Sequence, residues 1–237
     1  MTSRSEDPQK TEASPPACPV GKTDCAIAAE VVELRRQLSE LSSLVRTDPL
    51  TGIANYRYFL QALEQEIERT QRSGQATSLV MLDIDFFKRV NDRWGHEAGN
   101  RALVHLARLL QQTVRRLDIP CRYGGEEFAI ILPDTDLAAS IPVTERIRQA
   151  VADSSLDVSG HALQITVSLG IATYTAEQQI TAEELVKRAD HYLYQAKQTG
   201  RDRVCHPPLP QIDVVSAEEK QALSDLFGSG ARKKDKL

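Results

Sequence analysis

Two carboxylates follow an apolar segment near the middle of the chain. Asp83 and Asp85 come directly after the run 79–82, and Ile84 separates them. A continuous apolar run is typical of a strand covered on both faces, and residues two apart in a strand lie on one face. Acids at the carboxyl end of a central strand suit ligand binding. Ordinary solvated acids at a strand end would give the same pattern.

A second acidic pair follows two glycines. The segment 122–128 contains Gly124 and Gly125, and then Glu126 and Glu127. Paired glycines between strand-forming residues indicate a tight hairpin, and glycine also lets a phosphate or a base approach the backbone. If this hairpin lies beside the first strand, one glutamate faces the first acidic pair. Carboxylates about 4 Å apart repel by roughly 4 kcal/mol at an effective dielectric constant of about 20, which a divalent cation removes.

These acidic residues favour a particular metal and chemistry. Hard oxygen ligands without a cysteine or histidine cluster favour Mg²⁺, with Mn²⁺ as the alternative. Carboxylates, Mg²⁺ and a nearby lysine, here Lys88, are the equipment of phosphoryl or nucleotidyl transfer. The sequence therefore predicts a metal-dependent site that acts on a phosphate-bearing substrate.

Five ordered motifs resemble those of the GGDEF family, the diguanylate cyclases, in its Gly-Gly-Glu-Glu-Phe form. The resemblance implies an α/β (α+β) fold with a central antiparallel sheet and flanking helices, similar to a polymerase palm. It also implies the condensation of two GTP into cyclic di-GMP and two pyrophosphates, by a homodimer that its product inhibits. The motifs are Asp48–Gly52, Asp83–Lys88 with Asn91–Asp92, Gly95–His96, Gly124–Phe128, and Tyr194–Lys197 with Gly200–Arg201.

The resemblance also implies roles for individual residues. Asp83, the Ile84 carbonyl and Glu126 would bind the metal, and Glu127 would hold a second ion. Glu126 is implied as the base for the ribose 3′-hydroxyl. Lys88 would stabilise the charge of the transition state as a point charge on phosphate.

Nucleotide binding is implied for a further set of side chains. Lys197 and Arg201 resemble contacts to the terminal phosphates, although solvated cations at a helix end are the alternative. Asn91 resembles the residue that reads the guanine edge. Asn100 departs from the family, which often has Asp there, and an amide offers guanine only its carbonyl as acceptor. Tyr56 and Asp202 are smaller departures. The positions implied in substrate binding are Phe87, Asn91, His96, Asn100, Lys197 and Arg201.

Arg115 and Asp118 form an Arg-x-x-Asp pair shortly before the glycine turn. Such a pair usually lies on a helix surface. Its placement here resembles the product-inhibition site of the family, in which Arg115 would bind phosphate or guanine and Asp118 would accept from guanine. Arg146 is implied to complete this site from a neighbouring domain.

An apolar heptad pattern precedes the motifs and predicts a helical stalk at 26–47. Valine at one heptad position and leucine at the other favour a parallel two-stranded coil, whereas an amphipathic helix packed on its own domain is the alternative. We expect disorder at 1–25, the catalytic domain at 48–207 and a tail with a short helix at 208–237. The seam residues are Ile27, Val31, Leu34, Leu38, Leu41 and Val45.

Hydrophobic periodicity places the remaining elements. The strand predicted at 163–172 shows alternation, and Thr181 with Glu184 predicts a capping box for the last long helix. Pro142 limits where the third helix can begin. The predicted helices are 56–73, 98–117, 136–151 and 181–198, and the predicted strands are 79–82, 128–132, 163–172 and one from Val204.

The charge and hydropathy of the chain limit its partners. A formal net charge of −4 argues against a general nucleic-acid binder. No apolar run approaches the roughly 20 residues of a membrane helix, and the N-terminus lacks the apolar core of a signal peptide, so we expect a cytoplasmic protein without membrane insertion. Because no sensor domain accompanies the stalk, a separate activating protein is a plausible partner. Two rival functions remain: an inactive cyclic di-GMP receptor and a cyclase with relaxed purine choice.

Overall fold

A computed structural model describes residues 27, 30–37, 46–158 and 160–209. Of the predicted stalk, residues 27 and 30–37 are helical, whereas residues 46 and 47 are not, and Thr47 forms an isolated antiparallel bridge with Ala54. The stalk positions 26, 28–29 and 38–45, the N-terminal segment and the predicted tail helix lie outside the described residues. Within the described part, no helix is long and apolar enough to cross a membrane.

A mixed sheet forms the centre of the molecule. Six strands follow the order β1-β3-β4-β2-β7-β8, while β5 and β6 form a separate hairpin. The four inner strands are antiparallel neighbours, and the short edge strands β1 and β8 run parallel to β3 and β7. The strands are β1 Ala54–Asn55, β2 Thr77–Ile84, β3 Ile119–Arg122, β4 Glu127–Leu132, β5 Leu156–Val158, β6 His161–Leu163, β7 Val167–Tyr174 and β8 Val204–Cys205.

Helices cover both faces of this sheet. Alternate residues of β2 point to opposite faces, so Met81 packs in the core beneath α1 and α5, and Leu82 packs in the core beneath α3 and α4. All eight residues of β2 are buried, which confirms the prediction of a strand covered on both sides. The α/β prediction is likewise confirmed. The helices are α1 Tyr56–Ser73, α2 Phe87–Trp94, α3 His96–Thr113, α4 Leu137–Ala152 and α5 Ala182–Gln198.

Local capping explains where two of these helices begin. Asn55 accepts a hydrogen bond from the Tyr58 backbone N–H at the start of α1. At α5, the Thr181 hydroxyl accepts from the Glu184 N–H, and the Glu184 carboxylate accepts from the Thr181 N–H. The predicted capping box is therefore confirmed. Both motifs satisfy N–H groups that have no partner inside the helix.

Three predicted boundaries differ from the structure. Helix α3 ends at Thr113 rather than near 117, because Val114 is extended and the Asp118 carboxylate accepts the Arg115 N–H. Pro142 does not set the start of α4, which begins at Leu137 after the Asp136 cap and continues through the proline. The strand predicted at 163–172 is divided between the end of β6 and β7.

A glycine in β7 brings α5 unusually close to the sheet. A Cβ at Gly170 would lie 2.1 Å from the Leu193 backbone nitrogen and 2.3 Å from the Ala189 carbonyl oxygen. Only a residue without a side chain allows this approach. Because α5 carries Lys197 near its end, this packing helps to place that side chain over the end of the central strand.

Candidate active site

Three strands bring acidic and polar residues to one end of the sheet. Asp83 on β2 lies directly opposite Glu127 on β4 and Ser168 on β7. The Ile84 N–H also donates to the Glu126 carbonyl oxygen at 3.4 Å. The glycine hairpin therefore lies beside the first acidic strand, which is the arrangement that the predicted acidic cluster requires.

Lys197 forms an ion pair with the central carboxylate. Its Nζ lies 2.9 Å from Asp83 Oδ2, and the two side chains are 30% and 7% exposed. Burial raises the pKa of Asp83 above its ordinary value, and the Lys197 ammonium opposes this shift without cancelling it. A cation on helix α5 thus partly compensates a largely buried carboxylate.

The two glutamates of the hairpin share this electrostatic environment. Burial raises the pKa of both Glu126 and Glu127, and the nearby Asp83 carboxylate raises each further. Lys197 again opposes the rise. Two glutamates whose pKa values are raised both by burial and by the Asp83 carboxylate form, with Asp83, a site that favours a cation.

The donors in this cluster are suited to a hard cation. In the part of the chain that the structure describes, no three His, Cys, Asp or Glu side chains are gathered closely enough to bind a metal as they stand. Asp83 and Glu126 would therefore need other oxygens, such as the Ile84 carbonyl, to complete a shell. An all-oxygen donor set, with an ammonium ion already beside one carboxylate, fits Mg²⁺.

The glycine turn is closed by hydrogen bonds to one carbonyl. The Tyr123 and Gly124 N–H groups both donate to the Glu127 carbonyl oxygen, at 2.9 and 3.1 Å. A Cβ at Gly124 would lie 2.8 Å from Glu127 Oε2. Glycine at this position therefore lets the Glu127 carboxylate fold back against the turn.

Arg122 links this turn to the start of the domain, a role that the sequence did not reveal. Its guanidinium lies 3.2 Å from Asp48 Oδ1, and it donates to the Gly125 carbonyl oxygen at 2.9 Å. Burial alone would raise the pKa of Asp48, but hydrogen bonds from Thr51 and the charge of Arg122 hold it below its ordinary value. Asp48 begins the first motif and Arg122 begins the segment 122–128, but nothing in the sequence identifies the two residues as partners.

Helix α2 begins where the central strand ends. Phe87 is its first residue, and its side chain is buried in the core. Lys88 is exposed in the same first turn. The roles predicted for these residues remain predictions.

The residues predicted to read the base lie on two successive helices, with Asn91 on α2 and His96 and Asn100 at the start of α3. A Cβ at Gly99 would lie 2.0 Å from Asn91 Oδ1, so this glycine makes room for the amide. Its neighbour Asn100 lines a pocket of about 340 Å³, while His96 is exposed at the first position of the helix. The two asparagines therefore flank one glycine. The pocket lining is Leu50, Glu97, Asn100, Arg101, Val104, His105, Arg108 and Leu156.

The three residues of the predicted inhibitory site lie together on this one domain. Burial raises the pKa of Asp118, and the charges of Arg115 and Arg146 oppose the shift. Asp118 accepts the Arg115 backbone N–H at 2.7 Å, while Arg146 donates to the Thr113 carbonyl oxygen at 3.0 Å. Asp118 thus already has a structural role at the end of α3.

Known proteins are similar to this chain in both sequence and fold. A family model described as "Diguanylate cyclase, GGDEF domain" matches residues 45–203. The response regulator PleD of Caulobacter vibrioides is 43% identical over 173 residues, covering 72% of this chain and 38% of PleD. Diguanylate cyclase A of Treponema denticola is 37% identical over 169 residues, covering 70% of this chain and 45% of that protein.

Solved structures give the same result. The diguanylate cyclase SiaD of Pseudomonas aeruginosa, in complex with its activator SiaC, has a TM-score of 0.66 at 41% identity and covers 76% of this chain and 69% of SiaD. The coiled coil and GGDEF domain of DgcB from Caulobacter crescentus, in complex with c-di-GMP, has a TM-score of 0.65 at 32% identity, covering 76% and 95%.

The helix-covered sheet and its acidic strand end define an α/β nucleotidyltransferase-like domain. The chain belongs to the GGDEF family of diguanylate cyclases. It spans less than half the length of the two curated relatives described above.

Proposed function

We propose that this chain is a diguanylate cyclase that condenses two GTP into cyclic di-GMP and two pyrophosphates. The observation that carries the proposal is the position of Asp83, opposite Glu127 and 2.9 Å from the Lys197 ammonium. Buried carboxylates with a basic side chain above them provide groups for both a cation and a triphosphate. The family match supplies the substrate class.

In the proposed reaction, each ribose 3′-oxygen attacks the α-phosphorus of the other GTP, and pyrophosphate leaves. Glu126 accepts the hydroxyl proton as the general base. Lys88 stabilises the charge that develops on phosphate. Lys197 and Arg201 bind the terminal phosphates, so Lys197 exchanges a carboxylate partner for a phosphate when substrate binds.

Asp83, the Ile84 carbonyl and Glu126 would hold Mg²⁺ or Mn²⁺, with Glu127 at a second ion. The metal supplies Lewis-acid stabilisation of phosphate charge. The guanine base would lie near Gly99, where Asn91 reads its edge, with His96 and Asn100 nearby. Phe87 would contribute through the backbone at the start of α2.

The reaction needs two domains, because one site holds only one of the two nucleotides. We propose that the segment 26–47 dimerises as a coiled coil and so raises the effective concentration of the two domains at 48–207. The similarity to the DgcB structure, which comprises a coiled coil and a GGDEF domain, supports this proposal. The SiaD complex with its activator SiaC supports a separate activating protein on the stalk.

A nucleotide assay tests the activity. The full chain is incubated with GTP and Mg²⁺, its oligomeric state is measured, and cyclic di-GMP and pyrophosphate are quantified together. We expect two pyrophosphates per cyclic product, and loss of both products in the Glu126→Ala and Glu127→Ala variants. Binding of cyclic di-GMP without turnover would instead identify an inactive receptor.

Asn100 favours a second candidate, a cyclase with relaxed purine choice. Asn100 follows Gly99, which contacts Asn91, and an amide offers guanine one acceptor oxygen where a carboxylate offers two. Competition of GTP with ATP in one assay distinguishes the two candidates. If selectivity is relaxed, Asn100→Asp should increase the preference for GTP by about tenfold.

We also propose that the product inhibits the enzyme at Arg115 and Asp118, with Arg146 completing the site. Arg115 and Asp118 lie together, which supports the proposal. Arg146 also lies near Asp118 on the same domain, whereas the family resemblance implied an arginine from a neighbouring domain. Arg115→Ala should raise the concentration of cyclic di-GMP needed for half-inhibition by about tenfold or more, because charge-assisted contacts to phosphate are lost. Unchanged inhibition in that variant would contradict the assignment.

A further inference from the structure

The turn that carries Arg201 has an unfavourable backbone conformation. Arg201 and Asp202 have φ values of 63° and 45°, and Phe86 has a φ of 56°. Left-handed conformations of such residues cost on the order of 1 kcal/mol or more and persist only where surrounding contacts enforce them. Among the described residues, three of the four non-glycine residues with positive φ belong to this one place.

Asp85 holds this turn from inside the protein. Its carboxylate is buried, and Oδ2 accepts the Asp202 backbone N–H at 3.0 Å and the Thr166 hydroxyl at 2.8 Å. Oδ1 accepts the Ser168 hydroxyl at 2.7 Å. These three hydrogen bonds from the protein offset the free-energy cost of removing the carboxylate from water. Asp85 therefore ties the turn to the end of β2 and to β7.

Phe86 supports the same turn from outside. Its ring is 47% exposed, although it follows a buried strand. The guanidinium carbon of Arg201 lies 4.4 Å from the ring centroid, and that of Arg89 lies at the same distance. An aromatic face attracts a guanidinium and limits the directions that it can take. Two guanidiniums near one ring also repel each other, and a bound anion would relieve this repulsion.

We propose that Asp85 and Phe86 are positioning residues that hold the Arg201 guanidinium against the terminal phosphates of GTP. The inference rests on the proposed function for the role of Arg201. Asp85 fixes the backbone beside Arg201, and the Phe86 ring fixes its side chain. These two adjacent residues therefore restrain Arg201 together, one through its backbone and the other through its guanidinium.

The Phe86 part is tested by equilibrium binding of 3′-deoxy-GTP with Mg²⁺, because this analogue lacks the attacking hydroxyl. Phe86→Leu should weaken binding about two- to fivefold, as expected for loss of a cation–π contact at an exposed site, and Phe86→Tyr should retain affinity. Because the ring is exposed, neither variant should unfold the domain. Tyr58→Leu removes a similar contact with Arg46 at another site and should leave binding unchanged.

A double-mutant cycle decides whether Phe86 acts through Arg201. In an Arg201→Ala background, Phe86→Leu should cause no further loss of affinity. An equal loss in both backgrounds would overturn the proposal, since the ring would then act independently. Absence of 3′-deoxy-GTP binding by the unaltered protein would contradict the proposed function itself.

Asp85 is tested by a pair of variants. Asp85→Asn keeps an acceptor for the Asp202 N–H, because the Ser168 hydroxyl can reverse and accept from the new amide. It should retain 3′-deoxy-GTP affinity, whereas Asp85→Ala should lose as much affinity as Arg201→Ala. If Asp85→Ala does not fold, Asp85→Asn still decides the point: a loss of affinity by this folded variant would mean that the carboxylate does more than hold the turn.

Discussion

The Lys197 ammonium lies 2.9 Å from Asp83 Oδ2, so a cation from helix α5 forms an ion pair with the carboxylate at the end of the central strand β2. This ammonium therefore stands close to where a divalent ion would bind. It compensates Asp83 and lowers the electrostatic attraction of the cluster for a second cation.

Replacing Lys197 should show whether its ammonium competes with a divalent ion for Asp83. Lys197→Met keeps most of the aliphatic length and removes the charge. Without nucleotide, we expect Mg²⁺ to bind the variant about fivefold more tightly, because a partly exposed ion pair contributes on the order of 1 kcal/mol. Thermal unfolding over a Mg²⁺ titration measures the effect. Lys187→Met removes an exposed pair with Glu183 on the same helix and should leave the titration unchanged.

The acidic cluster should make stability depend on pH. Because the folded pKa of Glu126 is raised, the folded state holds the proton more tightly than the unfolded chain. The stability from this group is complete below the unfolded pKa and is lost as pH rises through the folded pKa. Without metal, Glu126→Gln should therefore be more stable than the unaltered protein at pH 7, by less than about 1 kcal/mol because water screens this carboxylate.

Urea denaturation across the pH range measures this difference. The advantage of Glu126→Gln should disappear near about pH 4, where the native glutamate is protonated. An advantage that grows as the pH falls would have the wrong sign for a raised pKa.

Arg122 should be sensitive to a substitution that keeps its charge. A lysine ammonium cannot bind both Asp48 and the Gly125 carbonyl, which the guanidinium spans. We expect Arg122→Lys to lower the free energy of unfolding by about 1.5–3 kcal/mol. Arg69→Lys, which alters an exposed pair with Asp134, should cost less than about 1 kcal/mol. Equal losses in the two variants would argue against a special role for the link.

Gly99 should affect binding more than stability. Alanine favours the helix by about 1 kcal/mol over glycine, but its Cβ would lie 2.0 Å from Asn91 Oδ1 and displace that amide. Gly99→Ala should therefore weaken 3′-deoxy-GTP binding about tenfold while unfolding stays within about 1 kcal/mol of the unaltered protein. Asn91→Ala should show the same loss, and the double variant no more.

Gly170, in contrast to Gly99, should affect the stability of the fold. A methyl group there meets backbone atoms of α5 that cannot yield, so Gly170→Ala should destabilise the fold by about 3 kcal/mol. Gly125→Ala adds a methyl group with nothing within 4 Å and should change unfolding by less than about 0.5 kcal/mol. Chemical denaturation of the two variants provides the comparison.

Much of this protein follows from local sequence. The apolar run in β2, the periodicity of α1 and the capping box of Thr181 with Glu184 depend on residues a few positions apart, so they can be predicted without a structure. The ordered motifs likewise predicted the family. The short helix α2, the β5–β6 hairpin and the early end of α3 were missed, because tertiary contacts rather than periodicity determine them.

Only the tertiary structure decided which polar residues meet. Asp85 accepts a hydrogen bond from a residue 117 positions away, and the guanidinium of Arg122 contacts Asp48, 74 positions away. Residue type limits a carboxylate to accepting hydrogen bonds, but strand register and helix packing select the donor. The sequence therefore determined the chemical groups and the elements that carry them, whereas the fold determined which charges are compensated and which are left for a ligand.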